Sequence, residues 1–284
     1  MTSAGEPVAA GALPGVARAD GARWFAADPS KAWGEKFFLL YTPVWITGMG
    51  LMMKSGVAGR WGDGAQIAAQ LALWLPLLLV PALYHDERAL GRRWLESYAF
   101  KAWVWLGVFS FVGSYFGSEY FFDVLGMVYH FATLHLNLDS ALLGSGEQHV
   151  PLIMYFSAHF YFVTYHSAAV VVMRRVRTSR LFVHPLVWPA VILGCAYAFA
   201  WSETFFMTDP GLAAQFTYRD VPRMLRWGSL VYALYFVVSF PMFYRLDEVP
   251  GERWPLRRVV VEALAAGMLV LFLLDFATHA IGRL

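Results

Sequence analysis

Beyond its first few dozen residues the chain alternates long apolar runs with short polar and charged stretches. Seven runs stand out, near 36–53, 64–84, 99–122, 150–173, 186–208, 227–245 and 258–280. Each is close to the ~20 residues with which an α-helix crosses roughly 30 Å of hydrocarbon. Pro43 and Pro189 interrupt the first and fifth runs. Membrane helices tolerate such prolines where neighbours satisfy the freed carbonyl. The pattern predicts an all-α fold, a polytopic membrane bundle of about seven transmembrane helices. Residues 1–28 are rich in Ala and Gly and lack the apolar core of a signal peptide. They are expected to form a flexible tail. Asp28-Pro29-Ser30 reads as a helix start, with proline in the first turn. Residues 29–284 are expected to form a single transmembrane domain.

The distribution of positive charge supports that count. If the seven runs alternate in direction, one side receives the N-terminal tail and the 2–3, 4–5 and 6–7 connections, with 16 of the 22 Lys and Arg residues. The other side holds Lys54, Arg60, Arg219, Arg223, Arg226 and Arg283. By the positive-inside rule the richer side, and the N-terminus with it, is cytoplasmic. The longest connection, about 123–149, has no Lys or Arg and falls on the opposite side. The expected location is an integral, multi-pass membrane protein of a bacterial inner membrane, or of the endoplasmic reticulum in a eukaryote.

Composition narrows the class. Residues of the set AVILMFWYC make up 58% of the chain and only 15% are charged, against about a quarter in a soluble domain. The single Cys195 excludes an internal disulfide framework and a multi-cysteine metal site. A net charge of +2 is too small for a nucleic-acid surface.

Ionisable residues inside membrane helices are costly, so each is a functional candidate. His159 and His166 are seven apart, two turns, on one face of the fourth run. Such a pair could shuttle a proton, hold a metal, or simply tie helices together. Glu203 lies in AFAWSETFFM, among aromatic rings. Burial there favours the neutral carboxylic acid, the form a general acid needs. Asp275 has His279 one turn on, a possible carboxylate–imidazole pair. Glu119 and Asp123 read as interfacial, Glu262 as structural, and Glu35 sits at the mouth of the first helix.

Several familiar chemistries are missing. There is no phosphate loop and no dinucleotide fingerprint. The eight histidines do not gather into desaturase-like boxes, and no lysine lies in the last run to hold retinal. The internal repeat of many transporters is absent as well. What remains is acid, base and aromatic rings, with aromatics at 17% of the chain. That inventory suits a cofactor-free isomerisation of a lipid-borne substrate. A buried acid protonates it, ring faces stabilise the cation by about 1–2 kcal/mol each, and a base removes a different proton.

The chain also resembles the cycloeucalenol cycloisomerase family, the sterol cyclopropyl isomerases of plants. The resemblance is carried by Asp28-Pro29-Ser30-Lys31, Trp33-Gly34-Glu35 and FFLLYTPVW at 37–45. It continues through FSFVGSYF at 109–116, YFFDVLG at 120–126 and HVPLIMYFSAHFYFVTYHSAA at 149–169. ETFF at 203–206, YALYFVVSFPMFYRLDE at 232–248 and AAGMLVLFLLD at 265–275 complete it. It runs in order from about 24 to 280. It implies an enzyme that opens the 9β,19-cyclopropane of a sterol such as cycloeucalenol to a Δ8 sterol such as obtusifoliol, without cofactor or metal. The expected catalytic set is Glu203, His159, His166 and Asp275, with Glu203 as acid and a histidine as base. Glu35, Tyr41, Tyr115, Tyr165, Trp201 and Tyr235 are expected to line the substrate pocket. The expected partners are a sterol drawn from the bilayer and membrane lipids, not nucleic acid. The stretch 127–149 is longer than in plant members. A Δ8–Δ7 double-bond isomerase and a non-catalytic sterol carrier are the alternatives.

Overall fold

A computed structural model describes residues 21–85 and 87–282, the side chain of Ile281 excepted. Among the described residues seven long helices follow one another: α1 (Pro29–Lys54), α2 (Asp63–Tyr84), α3 (Tyr98–Asp123), α4 (Ile153–Arg177), α5 (Val187–Met207), α6 (Val221–Tyr244) and α7 (Leu256–Ile281). Each coincides with one of the seven apolar runs. Five of them, α2, α3, α5, α6 and α7, are long and apolar enough to cross a membrane, as expected of an integral membrane protein. α1 and α4 have 26 and 25 residues, about 39 and 37 Å at 1.5 Å per residue. Buried polar side chains lower their mean hydropathy, among them Lys31 and Glu35 in α1 and His159, His166 and Arg174 in α4.

Local chemistry sets the ends. The Lys31 amide donates to Asp28 Oδ1 at 3.0 Å, which caps α1 with Pro29 in its first turn. The Phe100 amide donates to Ser97 Oγ at 3.1 Å and starts α3. α1 continues through Pro43. Pro189 falls in the first turn of α5, where the missing N–H has no helical partner to lose. α4 is the central helix and touches α1, α2, α3, α5 and α6, while α7 lies against α3 and α6.

One addition to the all-α expectation is a two-stranded antiparallel ribbon. Its strands are β1 (Met127–Tyr129) and β2 (Phe216–Tyr218), with Met127 opposite Tyr218. It ties the α3–α4 and α5–α6 connections together. The α1–α2 connection and the start of α2 join them at the same end, because the Thr133 hydroxyl donates to the Trp61 carbonyl at 2.9 Å and the His135 and Leu136 amides donate to Asp63 at 3.0 Å each.

The opposite end is a clasp of buried charge. The Arg174 guanidinium donates to Glu35 at 2.6 and 2.8 Å and to Glu248 at 2.6 and 2.8 Å. Lys31 Nζ lies 2.8 Å from Glu248 and donates to the Leu246 and Tyr244 carbonyls at 2.5 and 3.0 Å. Lys101 pairs with Asp247, and Arg92 with Asp28. Burial works against the Glu248 anion. The Arg174 hydrogen bonds and the charges of Lys31 and Arg174 outweigh it and hold that carboxyl down at about 2. Glu35 therefore belongs to this clasp and not to a substrate pocket, because its carboxylate is consumed by Arg174.

The clasp also orders the last part of the expected tail. Arg174 donates to the Trp24 carbonyl at 3.0 Å, and the Arg23 amide to Thr178 Oγ1 at 2.9 Å. Residues 21–28 are thus held against the end of α4, while residues 1–20 lie outside the described residues.

Candidate active site

α5 presents a stripe of small residues to its neighbours. Ala196, Ala200 and Thr204 are fully buried, and this lets α5 lie close along α6. Next to that stripe, near the end of the helix, stands Glu203. The Tyr232 hydroxyl of α6 donates to Glu203 Oε2 at 2.6 Å. Tyr165 of α4 lines the same groove as this carboxyl. Three helices therefore converge on one carboxyl group.

That carboxyl lies in the wall of two cavities. An outer groove of about 780 Å³ opens between α1 and α5, with α4 as its floor. The size is within the range of small-molecule sites, about 300–1,000 Å³. Trp45, Met49, Met53, Phe199, Phe206 and Met207 give it an apolar lining, and Tyr165 and Glu203 stand at its inner end. An inner chamber of about 90 Å³ lies beyond, among α3, β1, α4 and α6. Ser114, Ser118, Tyr129, Tyr232 and Tyr235 supply hydroxyls to it, and Phe121 and Phe162 supply ring faces. Tyr161 and Met207 border both cavities and also a third of about 30 Å³, which holds Gln66, Gln70 and Gln215.

Of the residues singled out in the sequence, Glu203, Tyr165 and Tyr235 come together around these cavities. The others lie elsewhere. Tyr41 donates its hydroxyl to the Leu73 carbonyl at 2.8 Å and fastens α1 to α2. Tyr115 stacks on Phe111, with ring centroids 5.7 Å apart, away from either lining. Trp201 is 39% exposed and stacks on Phe205 at 5.2 Å, on the outer face of α5. Asp275 has a side chain 54% exposed, with His279 at 3.7 Å and the Tyr120 hydroxyl at 3.4 Å. Helix periodicity turns both Trp201 and Asp275 outward, so neither reaches the cavities.

The two histidines stand behind the wall. His166 Nδ1 donates to the Phe162 carbonyl at 2.8 Å, which leaves Nε2 to accept from the Ser239 hydroxyl at 2.9 Å. Both ring nitrogens are thereby engaged. His159 Nδ1 accepts from the Trp74 indole at 2.8 Å, and the ring packs against Trp103 and Gly107 of α3. Neither imidazole borders the cavities that contain Glu203.

Tyr232, Tyr161 and the serines of α3 were not singled out in the sequence. Tyr232 had a readable signal, because it lies three residues before Tyr235 on one helix face. The serines had none, because their placement depends on a π-helical turn at Gly113–Gly117.

Comparison with known proteins gives one extensive match. The chain is 37% identical over 257 residues to cycloeucalenol cycloisomerase of Arabidopsis thaliana, an alignment covering 89% of this chain and 87% of that protein. No family model and no solved structure matches the chain.

Proposed function

The chain belongs to the cycloeucalenol cycloisomerase family and is an isomerase of sterol biosynthesis; on that premise we propose that it opens the 9β,19-cyclopropane of a membrane sterol to give a Δ8 sterol. The observation that carries the reading is the position of Glu203, a carboxyl held by the Tyr232 hydroxyl where an apolar groove meets a hydroxyl-lined chamber.

The steps follow from that position. The sterol enters sideways through the groove, whose mouth is lined by the exposed Ile46 and Phe206. The protonated Glu203 carboxyl gives its proton to C19. The C9–C19 bond supplies the electron pair, C19 becomes a methyl group, and C9 becomes cationic. The Tyr232 hydrogen bond stabilises the carboxylate so formed, since hydrogen bonds to charged groups are worth about 1.5–3 kcal/mol. Faces of Tyr161, Phe162 and Tyr235 flank the cation. The Glu203 carboxylate then removes the proton at C8, and the C8–H electrons form the C8=C9 double bond. The acid is restored, and atoms and charge balance. Giving both roles to Glu203 follows from the histidines' place behind the wall. His166 and His159 act here by fixing α4 against α6, α2 and α3.

The same reading takes all seven helices as spans with the N-terminus cytoplasmic. Its support is the charged clasp, which joins the N-terminal segment to the 2–3, 4–5 and 6–7 connections at one end. Single cysteines at Arg93 and Ser140, in a Cys195→Ala background, test the topology. Labelling at both positions by one impermeant reagent from one side would overturn it.

Expression in a host that accumulates cyclopropyl sterols, with sterol profiling, tests the activity. A Δ8 sterol is expected. A folded protein that yields none, or that converts a supplied Δ8 sterol to a Δ7 sterol instead, would overturn the proposal.

A further inference from the structure

The ring-opening step uses Glu203, the Tyr232 hydroxyl and ring faces, and it leaves the other hydroxyls of the inner chamber unused. A serine in a helix ordinarily bonds back to a carbonyl one turn earlier. Ser110 does so with Gly107, Ser157 with Ile153, and Thr204 with Ala200. Ser114 and Ser118 line the chamber, and among the described residues their hydroxyls have no protein partner. Ser114 lies within the π-helical turn Gly113–Gly117 in α3 and Ser118 directly follows it, and such turns are frequent at functional sites.

Glycine at 117 completes the pocket. A Cβ there would collide with the Tyr235 hydroxyl, and one at Gly113 would lie 3.5 Å from the Tyr235 ring. The Tyr235 ring therefore lies over the π turn with its hydroxyl beside Gly117, in the chamber that Ser118 also lines. Three hydroxyl groups thus gather in the chamber, while Trp45, Met49, Met53 and Phe206 line the groove.

We propose that the inner chamber is the recognition subsite for the hydroxyl-bearing ring of the sterol, with Ser114, Ser118 and Tyr235 as hydrogen-bond partners of its 3-hydroxyl. This rests on the ring-opening reading above. A cyclopropyl sterol carries its hydroxyl on ring A, its apolar tail on ring D, and the cyclopropane on the C9–C10 bond of ring B, next to ring A. Ring A in the inner chamber brings C19 to the boundary between the cavities, where Glu203 stands. The tail then lies in the groove toward lipid. The reverse orientation would force a branched tail into about 90 Å³ among hydroxyls.

The test compares a 3-hydroxy cyclopropyl sterol with its 3-methyl ether, using the purified full chain and Ser114→Ala/Ser118→Ala. For the alcohol the double variant is expected to raise KM about tenfold, the loss of one to two hydrogen bonds, with kcat within about twofold. For the ether, wild type and variant are expected to be equally poor. An unchanged KM for the alcohol, or an equal further loss with the ether, would overturn the subsite. Should the double variant fail to fold, Tyr235→Phe decides by the same comparison. Equilibrium binding of both sterols is measured in parallel. If the wild type makes no Δ8 sterol, the ring-opening reading fails, and the alcohol-over-ether binding preference still decides the subsite.

Discussion

Tyr232 on α6 donates its hydroxyl to Glu203 on α5 at 2.6 Å. Tyr235, three residues further along α6, lines the chamber beyond that carboxyl. One helix thus fixes the acid and shapes the space in front of it. A hydrogen bond to an ionised acceptor is roughly twice as strong as one to a neutral acceptor, so the contact strengthens once the carboxyl has given up its proton.

Glu203→Gln is expected to lower kcat by about 10²–10⁴-fold, the usual contribution of a positioned acid or base. Thermal stability should stay near wild type. Tyr232→Phe keeps the acid but removes its hydrogen bond and should cost about tenfold in kcat, with KM little changed. Steady-state rates beside a melting curve read both. Wild-type turnover in Glu203→Gln would move the acid elsewhere.

A single carboxyl that both gives and takes a proton leaves an isotopic trace. With a sterol deuterated at C8, the label removed from one molecule resides on Glu203 and passes to C19 of the next. At saturating substrate, part of the C19 methyl in the product should carry deuterium, measured by mass spectrometry and NMR. With a separate base the label is lost to water, and C19 takes only solvent hydrogen at every substrate concentration.

The sequence and the structure agree where physics is local. Seven apolar runs announce seven helices because helix length and hydropathy are properties of a contiguous segment. Glu203 was legible for the same reason, as a carboxyl inside an aromatic run. The partnership of Glu35 with Arg174 spans 139 positions, and nothing in either segment specifies it. Trp201 and Asp275 sit in convincing apolar contexts, but only the packing shows that their helix faces turn outward. The groove exists because α1 and α5 stand apart above α4, a relation among three helices. The strands β1 and β2 have three residues each, too short for an alternation to declare itself.

The clasp at the end of α4 should dominate stability. Arg174→Ala leaves Glu35 buried without its partner, and breaking a buried pair costs about 3–5 kcal/mol. Arg174→Lys should rescue little, because an ammonium cannot serve two carboxylates with bidentate geometry. The expected result is a large fall in thermal midpoint for both variants, read by a fluorescence melt in detergent. A midpoint within 2–3 degrees of wild type, roughly 1 kcal/mol for a chain of this size, would sink the idea.

Acid should weaken the same clasp through Glu248. Its carboxyl is held at about 2, below the ordinary value of 4.5. A lowered folded-state pKa stabilises fully above the unfolded value, and the stabilisation is lost as pH falls from there toward 2. The thermal midpoint should therefore fall between pH 5 and pH 3, and Glu248→Gln should flatten that part of the profile. A profile equally steep in the variant would assign the acid sensitivity to other groups.

Two glycines of α1 offer a direct test of the groove. A Cβ at Gly50 would meet nothing within 4 Å, and the position lines the groove. A Cβ at Gly48 would press on the Leu73 side chain of α2 at 2.8 Å. Gly50→Phe therefore projects a ring into the space assigned to the sterol, and replacing glycine inside a helix does not weaken the helix. Its expected effect is a KM raised tenfold or more at a wild-type melting temperature. Gly48→Phe forces α1 away from α2 and should lower the melting temperature instead, as overpacking costs about 1–3 kcal/mol. Full turnover by a folded Gly50→Phe protein would show that the sterol does not travel between α1 and α5.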